Sequence, residues 1–120
     1  VRALRGATTL DADTPEEMRL RVAALLEELY ARNGLCDDDV ISMLFTSTPD
    51  IRSLFPAAAA RAWGVGDVAL MGAQEADIAG ALPRCVRVLA HVTTTRGRHE
   101  LVHVYQRGAV ALRPDLARRP

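Results

Sequence analysis

The chain reads as an α+β protein, a mixed β-sheet of about five strands with one long helix and one short helix covering one of its faces. Three observations carry this expectation. Apolar, β-branched segments recur along the chain between stretches of helical spacing. One helical stretch is framed by clear start and stop residues, and the other is a run of alanines behind a proline. No internal repeat, low-complexity linker or composition break divides the 120 residues, so a single domain over residues 1–120 is expected.

Residues 1–10 read as a strand that stops at the polar Asp11-Ala12-Asp13. Thr14-Pro15-Glu16-Glu17 then supplies a capping Thr, a Pro at the first helical position and a Glu at the third, the reciprocal arrangement that satisfies two orphan amide donors. Met18, Val22, Leu25, Leu26 and Leu29 follow at helical spacing, and Asn33-Gly34 provides a left-handed exit. Asp37-Asp38-Asp39 begins a short turn into residues 40–47, a buried strand by content. Thr48-Pro49-Asp50 restarts the chain as a helical turn through Phe55, and Pro56 opens a short helix that runs to Trp63 and ends at Gly64 and Gly66. Residues 68–71 are a short strand, 72–77 a loop, 85–95 the longest strand and 94–98 a turn. Two last short strands are expected at 101–105 and 109–113, before a mobile tail over 114–120.

Composition excludes several classes of function. The formal charge is zero, and all fifteen basic residues are Arg with no Lys, a bias that obliges each Arg to be judged by position. Balanced charge with only 4% aromatic residues argues against a nucleic-acid partner, which calls for a basic face and stacking rings. No apolar run approaches the roughly 18 to 20 residues of a membrane helix, and the first residues open no signal-peptide core, so a cytoplasmic location is expected. Cys36 and Cys85 lie far apart without a Cys or His at ligand spacing and read as reduced, space-filling thiols.

Few residues suggest chemistry. Arg87 interrupts Cys85-Val86-Arg87-Val88-Leu89-Ala90, where every neighbour favours burial and an unpaired guanidinium could not stay. Either its stem covers apolar surface while its head reaches water, or it converges with another Arg on an anion. Arg5 poses the same question, and two strand-borne guanidinia in one cleft would make a dianion site, because each grips a carboxylate bidentately and keeps its proton. Glu75 and Asp77 make only a weak glycosidase pair, because that chemistry needs a defined separation across a sugar and two acids this close in sequence usually point at solvent. His99 and His103 have helical metal spacing in a segment that reads as strand, with no third ligand, and Asp37-Asp38-Asp39 lacks the spaced ligands of a calcium loop, so no metal is expected. No phosphate-binding glycine loop or nucleophile motif is present.

Taken in order, Arg5-Gly6-Ala7-Thr8-Thr9, Thr48-Pro49-Asp50, Phe55-Pro56-Ala57, Gln74-Glu75, Cys85-Val86-Arg87-Val88, His103-Val104-Tyr105 and Leu112-Arg113-Pro114-Asp115-Leu116 resemble the monofunctional chorismate mutases of the trimeric α/β class. The resemblance runs nearly end to end. It implies a homotrimer forming a pseudo α/β barrel with active sites at subunit interfaces, and the cofactor-free pericyclic rearrangement of chorismate to prephenate in phenylalanine and tyrosine biosynthesis. It assigns catalysis to Arg87, Glu75, Arg5 and Tyr105. Phe55, Ala57, Arg61, Met71, Gly72, Ala73 and Gln74 match substrate-binding wall positions, and Leu112 and Arg113 match positions where the tail closes over the site. This chain departs from the family at Ala58, where Lys is frequent, and at Gly72, where Cys is frequent. A non-catalytic trimeric sensor of anionic metabolites and a RidA-like deaminase are the rival readings; retention of Arg87 with Glu75 disfavours the first, and the second rests on analogy of fold alone.

Overall fold

The computed structural model describes residues 1–117 and is organised around a five-stranded mixed sheet. Its strands are β1 (Arg2–Thr9), β2 (Val40–Ser47), β3 (Ala69–Gln74), β4 (Cys85–Val92) and β5 (Val104–Tyr105), in the spatial order β3-β2-β4-β1-β5. β4 runs antiparallel to β1 and β2, whereas β3 is parallel to β2 and β5 parallel to β1. The helices are α1 (Pro15–Asn33), α2 (Pro56–Trp63) and the single turn α3 (Pro114–Ala117).

The period-two alternation of a strand decides what the helices cover. Leu4 on β1, Met43 and Phe45 on β2, and Val86, Val88, Ala90 and Val92 on β4 form one buried cluster with Met18, Val22, Leu25, Leu26 and Leu29 of α1. Ala59 and Ala60 of α2 join the same cluster, and Trp63 meets Tyr30 of α1 edge to face with ring centroids 4.9 Å apart. The alternate residues Arg5, Leu44, Arg87, Leu89 and His91 belong to the opposite face. Gly6 explains how closely α1 can sit: a Cβ there would lie 2.9 Å from Val88 Cγ1 and 3.3 Å from Leu25 Cδ1.

Helix α1 begins and ends largely as its sequence predicts. Thr14 Oγ1 accepts the Glu17 amide at 3.1 Å, Pro15 stands at the start, and Gly34 exits at φ +61°. The reciprocal half of the capping box is absent, because the Glu17 carboxylate accepts the Asp11 amide at 3.1 Å and Arg21 Nε at 2.7 Å instead. Asn33 does more than end the helix. Its side chain donates to Leu29 O and Val102 O, both at 2.9 Å, and accepts the Val102 amide at 2.8 Å.

Other boundaries differ from expectation for identifiable reasons. The helical turn expected after Thr48 does not form, since Asp13 accepts the amides of Arg52 at 2.8 Å and Ser53 at 3.1 Å. β3 continues through Gln74 because β2 offers a parallel ladder as far as Ser47, so residues 72–74 are strand rather than loop. β4 stops at Val92, no longer than β1 or β2, and the next amide, Thr93, donates to Asp39 O at 2.7 Å. Only Val104–Tyr105 of the expected strand at 101–105 pairs, since Asn33 occupies Val102 and a 3₁₀ turn, Arg98–Glu100, precedes it. The expected strand at 109–113 is instead a 3₁₀ segment, Arg107–Leu112, seated by the buried Ala109. The tail expected to be mobile includes the turn α3, and residues 118–120 lie outside the described residues.

Thr48 and Asp50 join the ends of β2 and β4. The Thr48 hydroxyl accepts the Cys85 amide at 3.0 Å and donates to Asp50, which also accepts the Arg84 amide at 2.8 Å. Partial burial opposes ionisation of Asp50, but these hydrogen bonds outweigh it and hold its pKa below the ordinary 3.8. A depressed folded value means that the stabilisation is fully present above the unfolded value and is lost as pH falls through the folded one. Asp50→Asn should therefore lower the melting temperature at neutral pH, with the gap to the parent closing as pH drops below 3.8; thermal melts across that range measure it. Gly6→Ala should cost about 1 to 3 kcal/mol by overpacking α1 against β1 and β4, read as a shift in the urea midpoint.

Candidate active site

Strand register assembles the first group of candidate residues. Tyr105, Ala7, Arg87, Thr46 and Ala73 stand in one line across the sheet, and Arg5, Leu89, Leu44 and Met71 in the adjacent line. Arg5, Arg87 and Tyr105 consequently open onto one hollow of about 280 Å³, bounded also by Gly6, Ala7, Leu44, Thr46, Val88 and Leu89. The two guanidinia that sequence could only suspect of converging do so. They belong to neighbouring antiparallel strands, and Arg5 pairs with Leu89, two residues beyond Arg87 on β4.

Glu75 reaches Arg87 from the end of β3. Its amide donates to Ser47 O at 2.9 Å, continuing the β2–β3 ladder by one bond and fixing where the side chain starts. Glu75 Oε2 accepts the Thr46 hydroxyl at 2.7 Å and lies 3.2 Å from Arg87 Nε. Glu75 is mostly covered, with a side-chain exposure of 20%, whereas Arg87 is half-exposed at 48%. Arg87 is thus a paired cation at the edge of a hollow, not a stem lying over apolar surface. Among the described residues no carboxylate pairs with Arg5, so one balanced and one unbalanced guanidinium face the same space. The Arg5 amide donates to His103 Nδ1 at 3.0 Å, which engages one of the two His nitrogens considered as metal ligands.

Beside Arg87, the Cys85 thiol is fully buried. Burial pushes its pKa up to about 11, although the Arg87 charge opposes this. The thiol is therefore neutral at physiological pH and adds no negative charge that would compete for Arg87.

The wall candidates lie elsewhere on the chain. Phe55, Gly72, Ala73 and Gln74, with Ser47 at the end of β2, line a second hollow of about 420 Å³ between the ends of β2 and β3 and residues 51–56. Met71 faces outward on β3, and Ala57 and Arg61 sit on α2, half-buried and exposed respectively. β3 and β1 are separated by three strand spacings, roughly 14 Å, so the β3 members of this group stand well apart from Arg5 within one chain. Phe55 is 79% exposed and Met71 68%, a large apolar surface for a chain to leave uncovered. Arg113 forms a two-point pair with Asp115, at 3.1 and 3.0 Å. That hydrogen-bonded carboxylate raises the Arg113 pKa, and the charge lies within electrostatic reach of Tyr105. Leu112, just before it, is half-buried.

Sequence reading missed Thr46, whose hydroxyl orients Glu75, and Leu44 and Leu89, which form apolar walls of the first hollow. Alternation in 40–47 puts Leu44 and Thr46 on one face, but only the cross-strand partner reveals which residues that face meets.

Comparison with known proteins identifies the family. The profile of the family chorismate mutase type I matches residues 1–116. Chorismate mutase AroH of Bacillus subtilis (strain 168) is 40% identical over 120 residues, covering 98% of this chain and 93% of that protein. Chorismate mutase AroH of Thermus thermophilus is 43% identical over 117 residues, covering 97% and 96%. The solved structure of a chorismate mutase from Clostridium thermocellum superposes with a TM-score of 0.90 at 43% identity, covering 92% of this chain and 99% of that one. A profile matched over almost the whole chain, relatives at this identity and a shared fold have one reading: the chain belongs to the type I chorismate mutase family.

Proposed function

We propose that the chain converts chorismate to prephenate as a homotrimer whose active sites are shared between neighbouring subunits. The observation that carries the chemistry is the hollow into which Arg5, Arg87 and Tyr105 open, with Glu75 and Thr46 fixing Arg87 at its edge. The rearrangement breaks an ether C–O bond as a C–C bond forms within one dicarboxylate molecule, so no proton need move and no covalent intermediate is required. The task left to the protein is to hold the compact conformer and stabilise the negative charge growing on the ether oxygen.

Each side chain has a role suited to that task. Glu75 engages Arg87 through Nε, which sets the plane of the guanidinium and leaves its terminal nitrogens to meet the ether oxygen. The unbalanced Arg5 and the Tyr105 hydroxyl hold a carboxylate. Glu75 accepts a hydrogen bond from the ring hydroxyl, Phe55 packs against the substrate, and Arg113 adds positive charge from the tail segment, with Leu112 beside it. No step calls for a metal or cofactor.

The trimer follows from what one chain lacks. Arg5 and Tyr105, on β1 and β5, lie toward one edge of the sheet, and β3, which carries Met71 to Gln74 of the wall group, forms the other edge. A head-to-tail contact bringing the β3 side of one subunit to the β1–β5 side of the next completes the site and covers Phe55 and Met71. Contacts of that kind close into rings, and the family resemblance gives three subunits.

Incubation with chorismate, following its disappearance in the presence and absence of a chelator, tests the activity directly; unchanged substrate would refute it. Arg87→Ala should lower turnover roughly 10²- to 10³-fold with little change in melting temperature, because the stabilised charge exists only in the transition state. Arg87→Lys should remain badly impaired, since a point charge cannot replace the fork that Glu75 holds. Near-normal turnover in both would remove Arg87 from the mechanism. Light scattering should give three chains, and mixing Arg87→Ala with Arg61→Ala subunits by unfolding and refolding should restore activity to about one quarter of the sites, as random pairing of neighbours dictates. No recovery from two inactive but folded variants would count against a shared site.

A further inference from the structure

The chain leaves the candidate site at Tyr105 and is fastened at each of the next three residues. The Gln106 amide donates to Ala7 O at 2.9 Å, and its side chain donates to Glu28 Oε1 at 2.8 Å and Ala24 O at 3.2 Å, both on α1. Arg107 reaches Asp11, in the β1–α1 turn, with an Nη2 to Oδ2 distance of 2.6 Å. The Gly108 amide donates to Thr9 Oγ1, at the end of β1, at 3.1 Å. Arg107 takes φ +54°, a conformation that side-chain-bearing residues rarely adopt and that persists only where surrounding contacts impose it. A Cβ on Gly108 would approach Thr9 Oγ1 to 3.1 Å and Thr9 Cγ2 to 3.3 Å. The backbone reverses here and enters the 3₁₀ segment that delivers Leu112 and Arg113.

We propose that the Arg107–Asp11 ion pair is a positioning latch for the known reaction: it fixes the left-handed turn after β5 and so sets where Arg113 stands relative to Tyr105. The proposal rests on the reading of Arg113 as a substrate-facing charge. Arg107 and Asp11 touch no reacting atom, and neither lines either hollow. Asp11 is well suited to the role, because its carboxylate also meets Arg21 Nη2 at 3.4 Å and is anchored to α1 independently of the tail. The hydrogen bond from Arg107 is the main cause holding the Asp11 pKa below its ordinary value, so the pair is ionised at neutral pH. Both partners are partly open to solvent, with side-chain exposures of 35% and 67%, so the latch is weak and sensitive to salt.

Steady-state kinetics on Arg107→Gly, Asp11→Asn and the double variant test this. Glycine takes the left-handed backbone without strain, so Arg107→Gly removes the latch and keeps the melting temperature. Each single variant should raise KM about two- to fivefold with kcat within roughly twofold of the parent, and the double variant should be no worse than the singles. At roughly 1 M salt, where screening reaches a few ångströms, parent and variants should converge. Arg107→Lys should retain most of the parental KM. Arg113→Gln separates the layers of the argument. If Arg113→Gln raises KM strongly while Arg107→Gly and Asp11→Asn leave it unchanged, the latch is overturned and the role of Arg113 stands. If Arg113→Gln changes nothing, that role falls and the latch with it. Loss of kcat in Arg107→Gly alongside a lower melting temperature would mark Arg107 as structural only.

Discussion

The antiparallel pairing of β1 with β4 is the constraint on which the rest of this molecule depends. Its register runs unbroken from Arg2 opposite Val92 to Thr9 opposite Cys85, and it fixes two things together. Leu4, Val86, Val88, Ala90 and Val92 meet α1 in the core, while Arg5 and Arg87 come to share a hollow on the other face. A slip of one residue would turn the side chains of one strand over relative to the other, parting Arg5 from Arg87 and carrying that strand's core residues out of the core. The large energy of burying the apolar set thus secures a geometry that two solvated arginines could not hold by themselves.

Gly6 shows how closely the two demands are interlocked. It lies beside Arg5 in sequence, yet its reason for being glycine is on the opposite face, where Val88 and Leu25 leave no room for a Cβ. Close seating of α1 flattens the helix layer onto the strands that carry the arginines. Thr48 and Asp50 act similarly at the other end of the sheet, tying the last residue pairs of β2 and β4 together so that Thr46, Arg87 and Glu75 keep their contacts.

Charge is arranged economically. The chain carries no net charge, and among the described residues the pairs Arg21–Asp11 and Arg32–Glu28 are solvent-accessible and worth little to stability. Glu75 is placed differently, for it balances and orients Arg87 while Arg5 stays without a carboxylate partner among the described residues. An anion entering the hollow meets one cation already oriented and one still unsatisfied. That distribution suits a reaction whose only electrical demand is to receive a dicarboxylate and a growing negative charge, and it accounts for the absence of any nucleophile motif in the sequence.

Local chemistry in the sequence determined much of the protein. The capped start of α1 at Thr14-Pro15, its exit at Gly34, the start of α2 at Pro56 and the strand content of β1, β2 and β4 follow from propensity and capping, and the motif resemblance points to the family. What local chemistry could not decide were the places where a distant side chain takes up backbone groups. Asp13 claims the amides of Arg52 and Ser53, Asn33 claims Val102, and Glu17 turns to Asp11 and Arg21. Nor could it show that Arg5 and Arg87 converge, that Thr46 holds Glu75, or that the wall residues lie at the far edge of the sheet. Those are matters of strand order and register, set by which strands pair, and pairing joins residues whose separation along the chain carries no local signal.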